Sequence, residues 1–110
     1  MNLKRIERTN KLLKEEINSI LLKEFDFVNV LVTIIDVRSS DDLKSCDIEI
    51  SILPESKEQV ILDFLFRHTY DIQKTINRKL KMRPVPRIRF RIDKDIKKLH
   101  KIDELIGKIK

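Results

Sequence analysis

Between Leu3 and Glu24 the apolar positions Leu3, Ile6, Leu13, Ile17 and Ile20, helped by Leu12 and Leu21, recur at helical spacing with no Gly or Pro among them. The spacing predicts a helix of about six turns. Its opposite face begins basic, with Lys4, Arg8 and Lys11, and ends acidic, with Glu15, Glu16 and Glu24. Residues 28–37 (VNVLVTIIDV) are rich in β-branched side chains, which predicts a strand buried on at least one face. Ser39-Ser40-Asp41-Asp42 has the composition of a turn. Strict alternation follows: Cys46, Ile48, Ile50 and Ile52 on one side, Asp47, Glu49 and Ser51 on the other. Two strands and a short link imply an antiparallel hairpin with one wet face.

Pro54-Glu55-Ser56 opens a second helical stretch, with Ser56 placed to cap it. Its apolar line is Ile61, Leu65, Ile72, Ile76 and Leu80, flanked by Val60 and Phe64, and His68 falls on the same line. The other side carries Arg67, Lys74, Arg78 and Lys81, with Asp71 among them. The stretch is long enough to suggest a break near its middle, and Arg83-Pro84-Val85-Pro86 ends it because each proline disfavours helix at the residue before it. From Arg87 to Ile92 alternation returns, with Ile88, Phe90 and Ile92 inward and three arginines outward, predicting a third strand. Asp93 or Asp95 is placed to cap a last helix, whose stripe is Ile96, Leu99, Ile102, Ile106 and Ile109. The order α-β-β-α-β-α, with helices on one face of a small sheet, is an α+β fold. At 110 residues the chain is expected to form a single domain over 1–110.

Composition sharpens this picture. Hydrophobic residues make up 41% of the chain and charged residues 38%, enough aliphatic surface to offset chain entropy and specify a folded protein. No run approaches the roughly 18 apolar residues that a membrane span requires, and the N-terminus has no signal-peptide core. One cysteine, Cys46, excludes an intramolecular disulfide, and a cytoplasmic location is expected. The net charge of +6 is unevenly spread: residues 1–55 carry 8 Lys+Arg against 11 Asp+Glu, residues 56–110 carry 16 against 7. A cluster so lopsided repels itself in the folded state and points to a polyanionic partner, although a solvated lysine-rich surface remains the plainer alternative.

Chemistry that needs a positioned constellation is not legible. His68 and His100 are far apart, Cys46 sits on the apolar side of a strand as a core residue would, and no CxxC or HxxxH spacing occurs. Gly107 is the sole glycine, so a glycine-rich phosphate loop is excluded. No cofactor or metal and no catalysis are expected. The sharper signal is the basic strand. Arg87, Arg89 and Arg91 project from one face at intervals of about 6–7 Å, suited to a phosphate backbone. Cross-strand pairing with Asp47 and Glu49 is the structural alternative. For Arg67, Lys74, Arg78 and Lys81 the alternative is an ordinary solvated helix face.

Four blocks in order across the chain resemble the ribosome-binding factor A family. Arg5-Ile6-Glu7-Arg8 with Leu13, Glu16, Ile17 and Ile20-Leu21-Leu22 is similar to its opening helix. Residues 36–43 (DVRSSDDL) resemble its hairpin motif, and residues 46–51 (CDIEIS) its second strand. Leu80-Lys81-Met82-Arg83-Pro84-Val85-Pro86, then Phe90 and Asp93, resembles its L-x-x-R-x-V-P…F-x-x-D signature. The resemblance implies a KH-like domain of type II, α-β-β-α(kinked)-β-α, with a mixed three-stranded sheet backed by helices on one face. In that family a helix kink, typically Ala-x-Gly, replaces the GxxG loop of other KH domains. Here His68-Thr69-Tyr70 stands at the kink, Gln73 where a basic residue is common, and Arg87 where an acidic one is frequent.

The function implied is binding without turnover: association with the small (30S) ribosomal subunit, assisting its late maturation and 16S rRNA 5′-end processing. The expected partner is 16S rRNA at its 5′-end helix and decoding-region helices, with no membrane and a monomeric protein. The expected RNA-binding residues are Arg5, Arg8, Lys74, Arg78, Lys79, Lys81, Arg83, Arg87, Arg89 and Arg91. A generic KH-like module for single-stranded nucleic acid and a protein-interaction adaptor are the competing readings.

Overall fold

A computed structural model describes residues 3–92. The elements are helix α1 (Leu3–Lys23), strands β1 (Leu31–Ser39) and β2 (Ser45–Leu53), helix α2 (Glu58–Lys79) and strand β3 (Arg87–Ile92). The helix expected after Asp93, with its stripe from Ile96 to Ile109, lies outside the described residues. The sheet order is β1-β2-β3, with β1 antiparallel and β3 parallel to the central β2. That mixed sheet, backed on one face by both helices, is the α+β arrangement the pattern predicts.

α1 buries Thr9, Leu13, Ile17, Ile20 and Leu21. Leu3 and Leu12, expected on the stripe, are exposed, and Thr9 occupies the buried line instead. Its hydroxyl is satisfied by donating to the Arg5 carbonyl at 2.8 Å, so a polar residue is tolerated there.

β1 begins three residues later than expected, because Val28 and Asn29 form a turn in which Asn29 has φ 59°. It extends two residues further, through Arg38 opposite Asp47 and Ser39 opposite Cys46. The register shifts between Ile34 and Asp36, leaving Ile35 as an extra residue. This bulge explains a sequence that does not alternate. Ile34 and Val37 are three apart, and only an inserted residue lets both face the helices. In the hairpin loop, Ser40 and Asp42 replace ladder bonds: Lys44 N–H donates to Asp42 Oδ1 at 3.0 Å and Ser45 N–H to Ser40 Oγ at 3.1 Å. The loop turns through Leu43 at φ 58°, whose side chain is nevertheless buried.

Two expectations about the second helix are corrected. Ser56 does not cap it: residues 55–57 form a 3-10 turn, and α2 starts at Glu58 with no side-chain cap bond. Nor does the helix break at His68-Thr69-Tyr70. α2 is continuous from Glu58 to Lys79, and among the described residues positive φ at non-glycine positions is confined to Asn29 and Leu43. The Thr69 hydroxyl donates to the Leu65 carbonyl at 2.7 Å, a bond made within an intact helix. His68 packs among aromatic rings. Its ring centroid lies 4.4 Å from that of Phe64 and 5.3 Å from that of Phe25, in a cluster with Phe27.

The core forms where Leu13, Ile17 and Ile20 of α1 and Leu65, Ile72 and Ile76 of α2 meet Cys46, Ile48, Ile50, Ile88 and Phe90 of the sheet. Every inward position of β2 and the first two of β3 are buried, as their alternation predicts. Burial pushes the Cys46 thiol up to about 11, which keeps it protonated and inert, in keeping with a core role.

Candidate nucleic-acid interface

Among the described residues nothing covers the sheet face opposite the helices, and the outward arginines of β3 stand on it. Register decides what they do. Asp47 is opposite Arg89 on one side and Arg38 on the other; Glu49 is opposite Arg91 and Asp36. Arg89 Nε donates to Asp47 Oδ1 at 3.1 Å and Arg91 Nη1 to Asp47 Oδ2 at 3.2 Å. Arg38 Nε lies 2.9 Å from Asp36 and 3.5 Å from Glu49. Partial burial works to raise the Asp47 pKa, but the hydrogen bonds and charges of Arg89 and Arg91 outweigh it and hold the carboxyl below its ordinary 3.8. The open face is therefore a lattice of alternating charge. Two of the three strand arginines are engaged by one carboxylate.

Arg83 and Lys79 are also occupied. Arg83 reaches back to the end of α2, donating from Nη1 to the carbonyls of Leu80 at 2.8 Å and Met82 at 2.7 Å, and from Nη2 to that of Asn77 at 2.9 Å. A helix leaves its last carbonyls without intrahelical donors, and this guanidinium supplies donors to the α2 terminus. Lys79 Nζ sits 3.2 Å from Glu16 Oε1, tying the end of α2 to α1.

Among the described residues, Arg8, Lys74, Arg78, Lys81 and Arg87 form no ion pair, and all five are exposed. Lys74 and Arg78 are one turn apart on the outer side of α2, and Lys81 follows just past its end. The fold ties the start of β3, where Arg87 stands, to α2. Gln73 of α2 accepts from the Ile88 N–H at 2.8 Å and donates to the Pro86 carbonyl at 3.1 Å, so its amide holds the first residues of β3 against the helix. The Arg87 N–H donates to the Lys44 carbonyl at 3.0 Å, placing this end of β3 beside the hairpin loop. Asn10, two residues beyond Arg8, accepts from Ser39 at the same end. Arg5, in the first turns of α1, is exposed.

Sequence reasoning singled out Gln73 as a departure from the family pattern but missed its hold on β3. Its clamp depends on which side of α2 meets β3, and a lone glutamine in a helix gives no sign of that. It also missed Phe66, an apolar residue that α2 presents to solvent. Among the described residues no group of three or more His, Cys, Asp or Glu side chains is placed to hold a metal ion, and no helix is long and apolar enough to cross a membrane.

Comparison with known proteins matches residues 5–106 to the family described as Ribosome-binding factor A. The chain belongs to the ribosome-binding factor A family. The ribosome-binding factor A of Thermodesulfovibrio yellowstonii is 32% identical over 97% of this chain and 92% of its own length. The crystal structure of ribosome-binding factor A from Thermus thermophilus superposes with a TM-score of 0.59 at 23% identity, covering 81% of this chain and 91% of that one. A homology model of Thermus thermophilus ribosome-binding factor A, fitted into the cryo-EM map of a 30S complex of that protein, gives a TM-score of 0.59 at 24% identity, covering 78% of this chain and 88% of that one. These two structures share the fold. Within the ribosome-binding factor A family this chain keeps the α-β-β-α-β order while α2 runs through the kink position unbroken.

Proposed function

We propose that the protein binds the small ribosomal subunit through its 16S rRNA and assists late maturation, including 5′-end processing, as a cytoplasmic monomer without catalytic turnover. The observation that carries this reading is the row Lys74, Arg78 and Lys81 along α2 and just past its end, with Arg87 at the start of β3, all exposed and without ion pairs among the described residues, in a chain of the ribosome-binding factor A family. Unpaired cations on a rigid helix and strand end are suited to phosphate contacts, which supply affinity and register, while the shape of the RNA supplies specificity. Arg5 and Arg8 extend the proposed surface along α1. Arg89, Arg91, Lys79 and Arg83 are proposed as its supports, since each already holds a partner. Promotion of maturation requires that the protein bind one conformation of the immature particle more tightly than the others.

Co-sedimentation with immature small subunits, mature small subunits and whole ribosomes at two salt concentrations tests the proposal. The expected result is retention on small subunits, strongest on immature ones, weakening as salt rises. Equal recovery on any single-stranded RNA, or salt-insensitive association, would overturn it.

A further inference from the structure

α2 exposes two aromatic rings that its burial pattern does not account for. Phe66 is 55% and Tyr70 76% exposed, one turn apart, although the helix has a well-filled apolar face elsewhere. Continuing by the same four-residue step, the next two positions are Lys74 and Arg78, both exposed and both without an ion pair among the described residues. Residues four apart are neighbours on a helix surface, about 6 Å apart along the axis. The row therefore begins with two π faces and ends with two cations. Asp71 lies beside it and is 3.9 Å from His68 Nδ1.

We propose that Phe66 and Tyr70 form a stacking subsite for unpaired bases of an RNA single strand whose phosphates are held by Lys74 and Arg78. This rests on the reading of the protein as an RNA binder and names the RNA class that the α2 face takes. A duplex keeps its bases stacked on one another and offers these rings nothing. A single strand can splay its bases onto them, and every base has a face to stack. The positive charge next to the rings selects a polyanion over an apolar peptide. Lys74 and Arg78 alone would bind either form of RNA, so the rings are what discriminates between them.

Tyr70 is the one tyrosine of a chain that has no tryptophan, so the intrinsic emission of the protein reports on this position. The probes are a mixed-sequence single-stranded RNA of about 12 nucleotides, within the range of single-strand site sizes, and the same strand annealed to its complement. The single strand is expected to quench Tyr70 emission on binding and the duplex to leave it unchanged. Tyr70→Leu and Phe66→Leu should each weaken single-strand binding by at least about 5-fold while duplex binding stays as in the parent. Tyr70→Phe, which keeps the ring, should bind as the parent does. Circular dichroism checks that each variant folds. Unchanged Tyr70 emission at saturating single strand, or leucine variants that bind it as the parent does, would overturn the subsite. So would Tyr70 emission already protected from acrylamide in the free protein, which would mean that residues 93–110 or a second copy cover the face. Small-subunit binding measured on the same leucine variants separates the two proposals. If the parent sediments with small subunits but the rings do not matter, the stacking subsite fails alone. If the parent binds neither subunit nor RNA, the functional reading fails with it.

Discussion

Replacing Arg83 and Lys81 separately by alanine should separate two residues to which the sequence assigns the same RNA-binding role. Both residues are exposed and basic, two positions apart, yet Arg83 donates to three carbonyls and Lys81 forms no ion pair among the described residues. A net hydrogen bond contributes about 0.5–1.5 kcal/mol, and water can replace the more exposed ones, so Arg83→Ala should cost about 1–2 kcal/mol rather than three times the single-bond figure. In urea denaturation that is a fall in midpoint of roughly 1 M. Lys81→Ala, a surface change away from caps and core, should stay within about 0.5 kcal/mol of the parent. Small-subunit binding should respond the other way. Removing one phosphate contact lowers the slope of log K against log salt by about 0.7–0.9, so Lys81→Ala should flatten the salt dependence by that amount while Arg83→Ala leaves it unchanged. Arg83→Lys keeps the charge but cannot span three carbonyls, and should recover less than half of the lost stability. An Arg83→Ala protein as stable as the parent, or with the same flattened slope as Lys81→Ala, would refute the assignment of Arg83 to the helix terminus.

Ile76 is fully buried in α2, so Ile76→Ala should lower stability by about 2–5 kcal/mol in denaturant titration, through lost burial and the cavity left behind. Gln73→Leu leaves the Ile88 N–H and the Pro86 carbonyl without their partner and should cost about 1–3 kcal/mol, with faster amide exchange at Ile88. Asp47 has a folded pKa lowered below 3.8, so its stabilisation is complete above that value and is lost as pH falls through the lower folded value. Acid unfolding of Asp47→Asn should accordingly show a shallower loss of stability below about pH 4 than the parent. The same change should cost no more than about 1 kcal/mol at neutral pH, as expected of exposed pairs. It should also steepen the salt slope of RNA binding if Arg89 and Arg91 are released to meet phosphates; an unaltered slope would place the open sheet face outside the RNA surface.

The period of the apolar residues alone determined the inward faces of β2, β3 and α2. Cys46 to Ile52 and Arg87 to Ile92 alternate so strictly that one set of positions has to be the core, and the structure buries that set in β2 and β3 save for the half-buried Ile92. The five apolar positions from Ile61 to Leu80 are likewise buried, while His68 on that line is half-buried and the flanking Val60 is exposed. Those patterns are local, and local sterics with one buried face suffice to specify them. Which cations are available to a ligand is not local. Asp47 can bind Arg89 and Arg91, more than 40 residues away, only because β3 lies parallel to β2 in that register. Glu16 meets Lys79 only because α1 and α2 pack side by side, and Gln73 holds β3 only because that side of α2 faces it. The Ile35 bulge and the exposure of Phe66 have the same origin: each depends on what a neighbouring element covers. Ten basic residues look alike in the sequence because charge is a property of the residue. The structure separates them because pairing is a property of the neighbours.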